Sequence, residues 1–282
     1  MDAAIVIPVR DQAELLARCL ESILPQAEAH GVAVVVVDDG STDTSASVAA
    51  AAGAEVIPSP DPGSPYRARN VGWRSTEAES VVFTDARCRA RAGWLVALLD
   101  AFADPQVVAV GGDVWVEPGD GVATRAAARL QPLLGSSSIA DRYLPFVATC
   151  SLAVRRTALT EVDGFADVRG GGDVDLCWRL QEAGLGHVVL AAGAEMDWVP
   201  RATARDLLGQ FHRYGRNSRW LQEAHASYGC PVDRDAPRWK VWGAASRDLL
   251  RSLPGERPRR WPDLTLAAAA RLAATEGHRI AP

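Results

Sequence analysis

Cysteine is scarce and badly placed for cross-linking. The five thiols, Cys19, Cys88, Cys150, Cys177 and Cys230, are odd in number and none stands in a CxxC pair. Neither a disulfide framework nor a structural zinc site is expected, and reduced thiols fit a cytoplasmic protein. Long apolar runs are missing too. The nearest approach, LTLAAAARLAA (264–274), carries Arg271 and falls short of the about 18–20 residues that span a bilayer. The opening MDAAIVIPVR lacks the basic flank of a signal peptide. The expectation is a chain without a transmembrane segment that meets its partners in solution or at the periphery of a membrane. A basic excess is absent as well: the net charge of −5 argues against a nucleic-acid partner, which needs a positive footprint.

What is present is ordinary globular material, 48% hydrophobic and 23% charged, so a folded core is expected along most of the chain. The first half alternates strand and helix signals. AAIVIPV (3–9), VAVVVVDDG (32–40), AEVIP (54–58), SVVFTDA (80–86) and VVAVGGDVWVE (107–117) read as strands. The first two are continuous apolar runs, the pattern of strands buried on both faces. Between them ELLARCLESIL (14–24), TDTSASVAAAAG (42–53), RARNVGWRSTEA (67–78) and GWLVALLDAFA (93–103) read as helices. This rhythm predicts a Rossmann-like, mostly parallel α/β sheet flanked by helices. Ligands in such sheets bind beyond the carboxyl ends of the strands, where Asp38, Asp39 and Asp85 fall. In the second half, FVATCSLAVRR (146–156) and HVVLA (187–191) read as strands and GGGDVDLCWRLQEAG (170–184) as a loop and helix. A long helix is expected over 203–225 and two more over 237–276, parted by the loop LPGERPRRWP (253–262).

Five stretches carry chemistry. In IPVR (7–10) with VVDDGSTD (36–43), strand-end acids beside a Gly-Ser turn suit a base N–H and ribose hydroxyls, or else act as solvated helix caps. In SPYRARNVGW (64–73), Arg67 and Arg69 have the fork geometry that suits phosphate, with Asn70 placed to hold a loop; a solvated basic face is the alternative. VVFTDARCRARAGW (81–94) sets Asp85 before Arg87, Arg89 and Arg91, as a metal or ribose contact or as a strand cap. In GGGDVDLCWRL (170–180) the glycines let backbone approach a ligand, Asp175 suits a helix N-terminus, and Asp173 is the better candidate for chemistry. QFHRYGRNSRW (210–220) gathers His212, Arg213, Arg216 and Arg219 on one helix, for an anionic ligand or as a plain amphipathic surface.

Taken in order, IPVR, DDGSTD, ARN, TDA, LAVRR (152–156), DGFAD (163–167), GGDVDLCWRL (171–180) and YGR resemble glycosyltransferase family 2, inverting enzymes of the GT-A fold. The resemblance runs from about residue 3 to residue 220. It implies a GT-A domain over 1–220, with a nucleotide-binding half over about 1–117 and an acceptor half over about 118–220, followed by a helical C-terminal extension over 221–282. It implies that Pro8, Val9 and Arg10 border the nucleotide base, that Asp38 and Asp39 contact base and ribose, and that Arg69 approaches the nucleotide or its diphosphate. Asp85 takes the place of the first acid of the DxD motif and Asp173 that of the catalytic base. Arg213 and Arg216 stand where the family contacts the diphosphate or closes a lid. The implied donor is a nucleotide-sugar, UDP-linked by family frequency, and the acceptor a hydroxyl of a glycan, a lipid-linked molecule or a small molecule. The loop GSSSIADRYLPF (135–146) is expected on the acceptor side.

The sequence departs from the family at four places. The DxD motif reads Asp85-Ala86-Arg87, the Glu before the base is Gly172, the polar residue before LAVRR is Ser151, and the late His is missing, with Asp197 or Trp198 offered instead. One carboxylate beside a guanidinium is a poor anchor for Mg²⁺ or Mn²⁺. Reduced or absent metal dependence is therefore expected, with Arg87 either pairing with Asp85 or neutralising the diphosphate; the contrary reading recruits Asp197 as a replacement ligand. A competing reading is a non-catalytic nucleotide-sugar-binding protein of the same fold, which Arg87 and Gly172 favour and Asp173 opposes. A dehydrogenase and a nucleotidyltransferase are excluded because no glycine-rich loop follows the first strand.

Overall fold

The computed structural model describes residues 2–117, 119–138, 143–232 and 261–279. They form two compact units: Met1–Trp115 with Leu133–Trp198, and Val116–Pro132 with Val199–Pro282. The expected boundary at 220 falls inside a helix, and the segment 116–132 joins the C-terminal helices rather than the residues on either side of it.

The first unit is built on an eight-stranded sheet in the order β3-β2-β1-β4-β7-β6-β8-β5. Its elements are β1 (Ala3–Val9), α1 (Ala13–Ala29), β2 (Ala33–Asp38), α2 (Ser45–Ala51), β3 (Glu55–Pro58), α3 (Pro65–Arg74), β4 (Ser80–Phe83), β5 (Cys88–Ala90) and α4 (Trp94–Asp100). β6 (Val107–Val116) follows, running into the second unit at its last residue. β1 to β4 are parallel, β1 lying between β2 and β4. Every residue of β1 is buried, as expected for a strand covered on both faces. Pro8 is tolerated there because pairing with β4 ends at Val6–Phe83; Val6 turns its carbonyl to that side, so the missing N–H of Pro8 points beyond the end of β4.

Beyond β4 the ladder reverses. β7 (Leu152–Arg155) runs antiparallel to both β4 and β6, and β8 (His187–Trp198) antiparallel to β5. The parallel half thus matches the sequence reading, and the second half is antiparallel because its strands are not joined by regular βαβ crossovers. β8 continues well past the five residues HVVLA, and β5 was hidden in the arginine run after Asp85. α6 (Gly135–Ser138) and α7 (Arg156–Glu161) are short, and α8 (Gly172–Glu182) starts at the expected Gly-rich loop. The core beneath α3 and α8 gathers Val6, Val37, Phe83, Leu152, Phe165 and Leu176.

α3 starts at Pro65 rather than at Arg67 and ends at Arg74 rather than near 78. Pro is preorganised for the first helical turn, and Ser64 caps it by accepting from the Arg67 N–H. That puts Tyr66, Arg67 and Arg69 in the first turns of α3.

The second unit contains α5 (Val122–Leu130), α9 (Ala204–Ala224) and α10 (Trp261–Arg279). α9 and α10 touch backbone to backbone: a Cβ on Gly215 would overlap the Ala274 carbonyl, and one on Gly277 the His212 carbonyl. Asp263, buried in the first turn of α10, pairs with Arg125 of α5 at 3.0 Å. The helix and loop expected over 237–260 lie outside the described residues, as do 139–142 of the expected acceptor loop.

Candidate active site

Three parallel strands deliver the site. β1, β2 and β4 end on one edge, so Arg10, the Asp38–Asp39 pair and Asp85 leave the sheet on the same side, with β2 and β4 about 10 Å apart across β1.

At the β2 end the acids are held by backbone. Asp38 Oδ1 accepts from the Ser41 N–H at 2.9 Å. Asp39 is buried, and both its oxygens accept from the Gly63 N–H at 3.0 Å, which pins the loop leading into α3. Next to them, Asp11 accepts from the Thr42 N–H and hydroxyl, and Asp43 accepts from the N–H groups of Ala13 and Ser45. Asp43 therefore caps the first turns of both α1 and α2. These bonds lower the pKa of both exposed acids, chiefly the Thr42 amide for Asp11 and the Ser45 hydroxyl for Asp43. Pro8 and Val9 are buried at the end of β1, and Arg10 is exposed with Asp11 at 3.9 Å.

At the β4 end side chains join the backbone in holding the acids. Arg69 is 3% exposed and its guanidinium binds Asp85 Oδ1. The Cys150 thiol donates to Asp85 Oδ2 at 3.2 Å, and the Cys19 thiol to the Asp85 carbonyl at 3.5 Å. Thr84 ties the same segment to Cys150 by donating its hydroxyl to the Cys150 carbonyl at 2.8 Å. Arg69 also lies 5.1 Å from the centre of the Tyr66 ring, and the Tyr66 hydroxyl donates to Asp173 Oδ1 at 3.2 Å. Asp173 Oδ1 accepts further from the Val174 N–H at 3.1 Å, and Oδ2 accepts from the Thr149 N–H at 3.3 Å. Asp85, Arg69, Tyr66 and Asp173 thus form one side-chain chain, drawn from β4, α3 and α8.

The electrostatics of this chain differ from those of the β2 end. Burial raises the pKa of Asp173, and Arg69 and the Thr149 and Val174 amides oppose the rise. Burial also opposes the charge of Arg69, but Asp85, Tyr66 and Asp173 outweigh it, so its pKa rises. The Cys150 thiol is pushed well up by its contact with Cys88 and by burial, and stays protonated.

The remaining motif residues brace this arrangement. Asn70 accepts from the Phe165 N–H at 2.9 Å and from the Trp73 indole at 2.9 Å, and donates to the Phe165 carbonyl at 2.7 Å. Arg179 donates to the carbonyls of Val162 and Gly164 at 2.7 Å and pairs with buried Asp175. Asp175 therefore anchors Arg179, which in turn holds the DGF turn. Ser151 accepts from the Trp94 indole at 2.9 Å.

The arginine run after Asp85 is engaged by β8. Arg87 lies 5.9 Å from the Trp198 ring centre, and Arg91 binds Asp197 at 2.7 Å and Glu195 at 2.6 Å. Arg213 and Arg216 are exposed on α9 of the second unit.

A divalent ion finds a poor donor set here. Asp85 gives one oxygen to a guanidinium and the other to a thiol, and Asp197 is neutralised by Arg91. Among the described residues no three His, Cys, Asp or Glu side chains converge to hold a metal. Tyr66, Thr149 and Cys150 escape a sequence reading because their partners lie 24 to 107 residues away. Only the position of Tyr66 beside ARN hinted at it.

The profile of the family described as Glycosyl transferase family 2 matches residues 4–162. A pre-mycofactocin glycosyltransferase of Mycobacterium tuberculosis is 32% identical over 245 residues, which are 82% of this chain and 50% of that protein. The chain thus spans about half the length of this curated relative. Among solved structures, a Pyrobaculum calidifontis mannosyltransferase in complex with GDP-Man and Mn²⁺ is similar with a TM-score of 0.68 at 19% identity, covering 99% of this chain and 87% of that one. Glucosyl-3-phosphoglycerate synthase of Mycobacterium tuberculosis, in complex with Mn²⁺ and UDP-glucose, gives a TM-score of 0.55 at 20% identity, covering 83% and 80%. At these identities the two structures establish the GT-A fold.

Proposed function

The chain belongs to glycosyltransferase family 2, and from that premise we propose that it transfers a sugar from a nucleoside-diphosphate sugar, UDP-linked, to an acceptor hydroxyl with inversion, Asp173 serving as general base. The observation that carries this reading is the continuous contact from Asp85 through Arg69 and Tyr66 to Asp173. It sets a buried cation and a half-buried carboxylate of raised pKa side by side, beyond the strand ends where a nucleotide binds.

The base and ribose would lie over Pro8, Val9, Arg10, Asp38 and Asp39. The acceptor oxygen attacks the anomeric carbon from the face opposite the diphosphate. Its proton passes to Asp173, the bond from carbon to diphosphate oxygen breaks, and the electron pair leaves on the nucleoside diphosphate. Proton removal of this kind contributes about 10²–10⁴-fold in rate. The leaving diphosphate needs fixed positive charge, and Arg69 and Arg87 supply it. Because the acid set does not fit a divalent ion, no step runs through one. Pre-mycofactocin, named for the mycobacterial relative, is the first acceptor to try.

Thermal-shift measurements with UDP-glucose and GDP-mannose, with EDTA and then with Mn²⁺, test the donor and the metal together. The expected outcome is stabilisation by UDP-glucose that survives EDTA, with turnover that survives it too. Loss of both in EDTA with full recovery in Mn²⁺ would reject the arginine reading. Stabilisation by a donor with no release of nucleoside diphosphate, under any acceptor, would favour a binding protein instead.

A further inference from the structure

Tyr66 occupies ground that the family's Glu side chain would need. It is 6% exposed, in the first turn of α3. Its ring lies against the start of α8, where a Cβ built on Gly172 would stand 3.0 Å from three ring carbons. A side chain at 172 would crowd the ring and make it give by a few tenths of an ångström, so glycine there suits tyrosine at 66. The ring is held on its other contacts by Phe165, with centroids 5.5 Å apart, and by the Arg69 guanidinium.

The hydrogen bonds on Asp173 are unevenly shared. Oδ1 accepts from two donors, the Tyr66 hydroxyl and the Val174 N–H. Oδ2 accepts from one among the described residues, the Thr149 N–H. A carboxylate oxygen offers two lone pairs, so Oδ1 is filled and Oδ2 keeps one for an incoming O–H. We infer that Tyr66 is a positioning residue for the base: it occupies Oδ1, turns Oδ2 to the acceptor hydroxyl, and takes the room that Gly172 leaves. The inference rests on Asp173 being the base.

The chemistry of the neighbours is consistent with this. Burial, and then the Asp173 charge, push the Tyr66 phenol well above its ordinary pKa, so it donates throughout the working pH range. The charged and titratable groups facing Asp173 are Tyr66 and Arg69 from α3, with Asp85 beyond Arg69, and Cys177 from α8, its thiol pushed up to about 12 by burial. Removing the phenolic hydroxyl removes a donor to the charged carboxylate and leaves the other groups in place. The carboxyl pKa must then rise further.

Aspartate ¹³Cγ NMR titration of the unliganded protein reads this directly, the Asp173 resonance being the one that disappears in Asp173→Asn. Tyr66→Phe keeps the ring on Gly172, and is expected to move the Asp173 midpoint upward by about one pH unit. Release of UDP from UDP-glucose supplies a second readout. In Tyr66→Phe the acid limb of kcat should move upward by the same amount, with KM for the donor unchanged and the rate recovering at alkaline pH. A residue that only fills space would lower the rate equally at every pH. An unmoved midpoint, with Asp173→Asn inactive, overturns the inference and leaves the base standing. Wild-type turnover in Asp173→Asn removes the base and the inference with it.

Discussion

Two strand ends about 10 Å apart use the same residue type in different ways. At the end of β2, Asp38, Asp39, Asp11 and Asp43 all bind backbone N–H groups and fix the paths of loops. At the end of β4, Asp85 binds a guanidinium and a thiol, and Asp173, on neighbouring α8, adds a phenol to its two backbone amides. Carboxylates spent on the main chain make a shape. Asp173, half-buried and with a side-chain donor among its partners, keeps a tunable proton affinity, which is what acid–base chemistry needs.

The sharpest way to break this comparison is to neutralise one acid from each end. Asp173→Asn should lower the release of nucleoside diphosphate by about 10²–10⁴-fold while leaving nucleotide binding by thermal shift intact. Asp39→Ala should act the other way round. It frees the Gly63 N–H and should cost about 2 kcal/mol in urea unfolding, with weakened nucleotide binding as the loop loosens. Equal effects of the two variants on turnover and binding would erase the distinction. Asn70→Ala removes two hydrogen bonds that brace α3 against the DGF turn and a third, to the Trp73 indole, within α3. It should also cost about 2 kcal/mol, with a fall in kcat because Tyr66 and Arg69 sit on the same helix.

The pH dependence separates the two ends by sign. Asp11 and Asp43 have lowered pKa values, so their contribution to stability is present above the unfolded value of 3.8 and is lost as pH falls through their folded values. Asp173 has a raised value: it favours folding below 3.8, and that contribution is lost as pH rises through its folded value. A carboxyl NMR titration should find the first two midpoints below 3.8 and the third above it. The smallest effect is expected at Arg10, whose contact with Asp11 is long and exposed. Arg10→Ala should leave the melting temperature unchanged within error while still reducing nucleotide affinity if the base stacks there.

Much of the first end was legible in the sequence. β-branched runs stopping at acids, and a Gly-Ser-Thr-Asp turn, are local signals that place Asp38 and Asp39 at the edge of a parallel sheet. The second end was legible only as separate letters. Asp85, Arg69 and Asp173 each fall in a short motif, but nothing local joins them, because the joints are Tyr66 and Cys150, whose partners lie far along the chain. The arginine run hid β5, since three residues that pair with β8 do not make a periodic pattern. The helix α5 is not legible in the sequence because VATRAAARL lacks the leucine spacing that marks α1. Ser64 and Pro65 start α3 before the alanine and arginines that suggested it, and it is this earlier start that carries Tyr66 to Asp173.

Asp43 links two helices whose first residues are far apart in the chain. Because a single carboxylate receives the amides of both Ala13 and Ser45, the two ends cannot fray independently. Hydrogen–deuterium exchange at these two amides should proceed through one shared opening, and a charge-neutral Asn at 43 should speed both together.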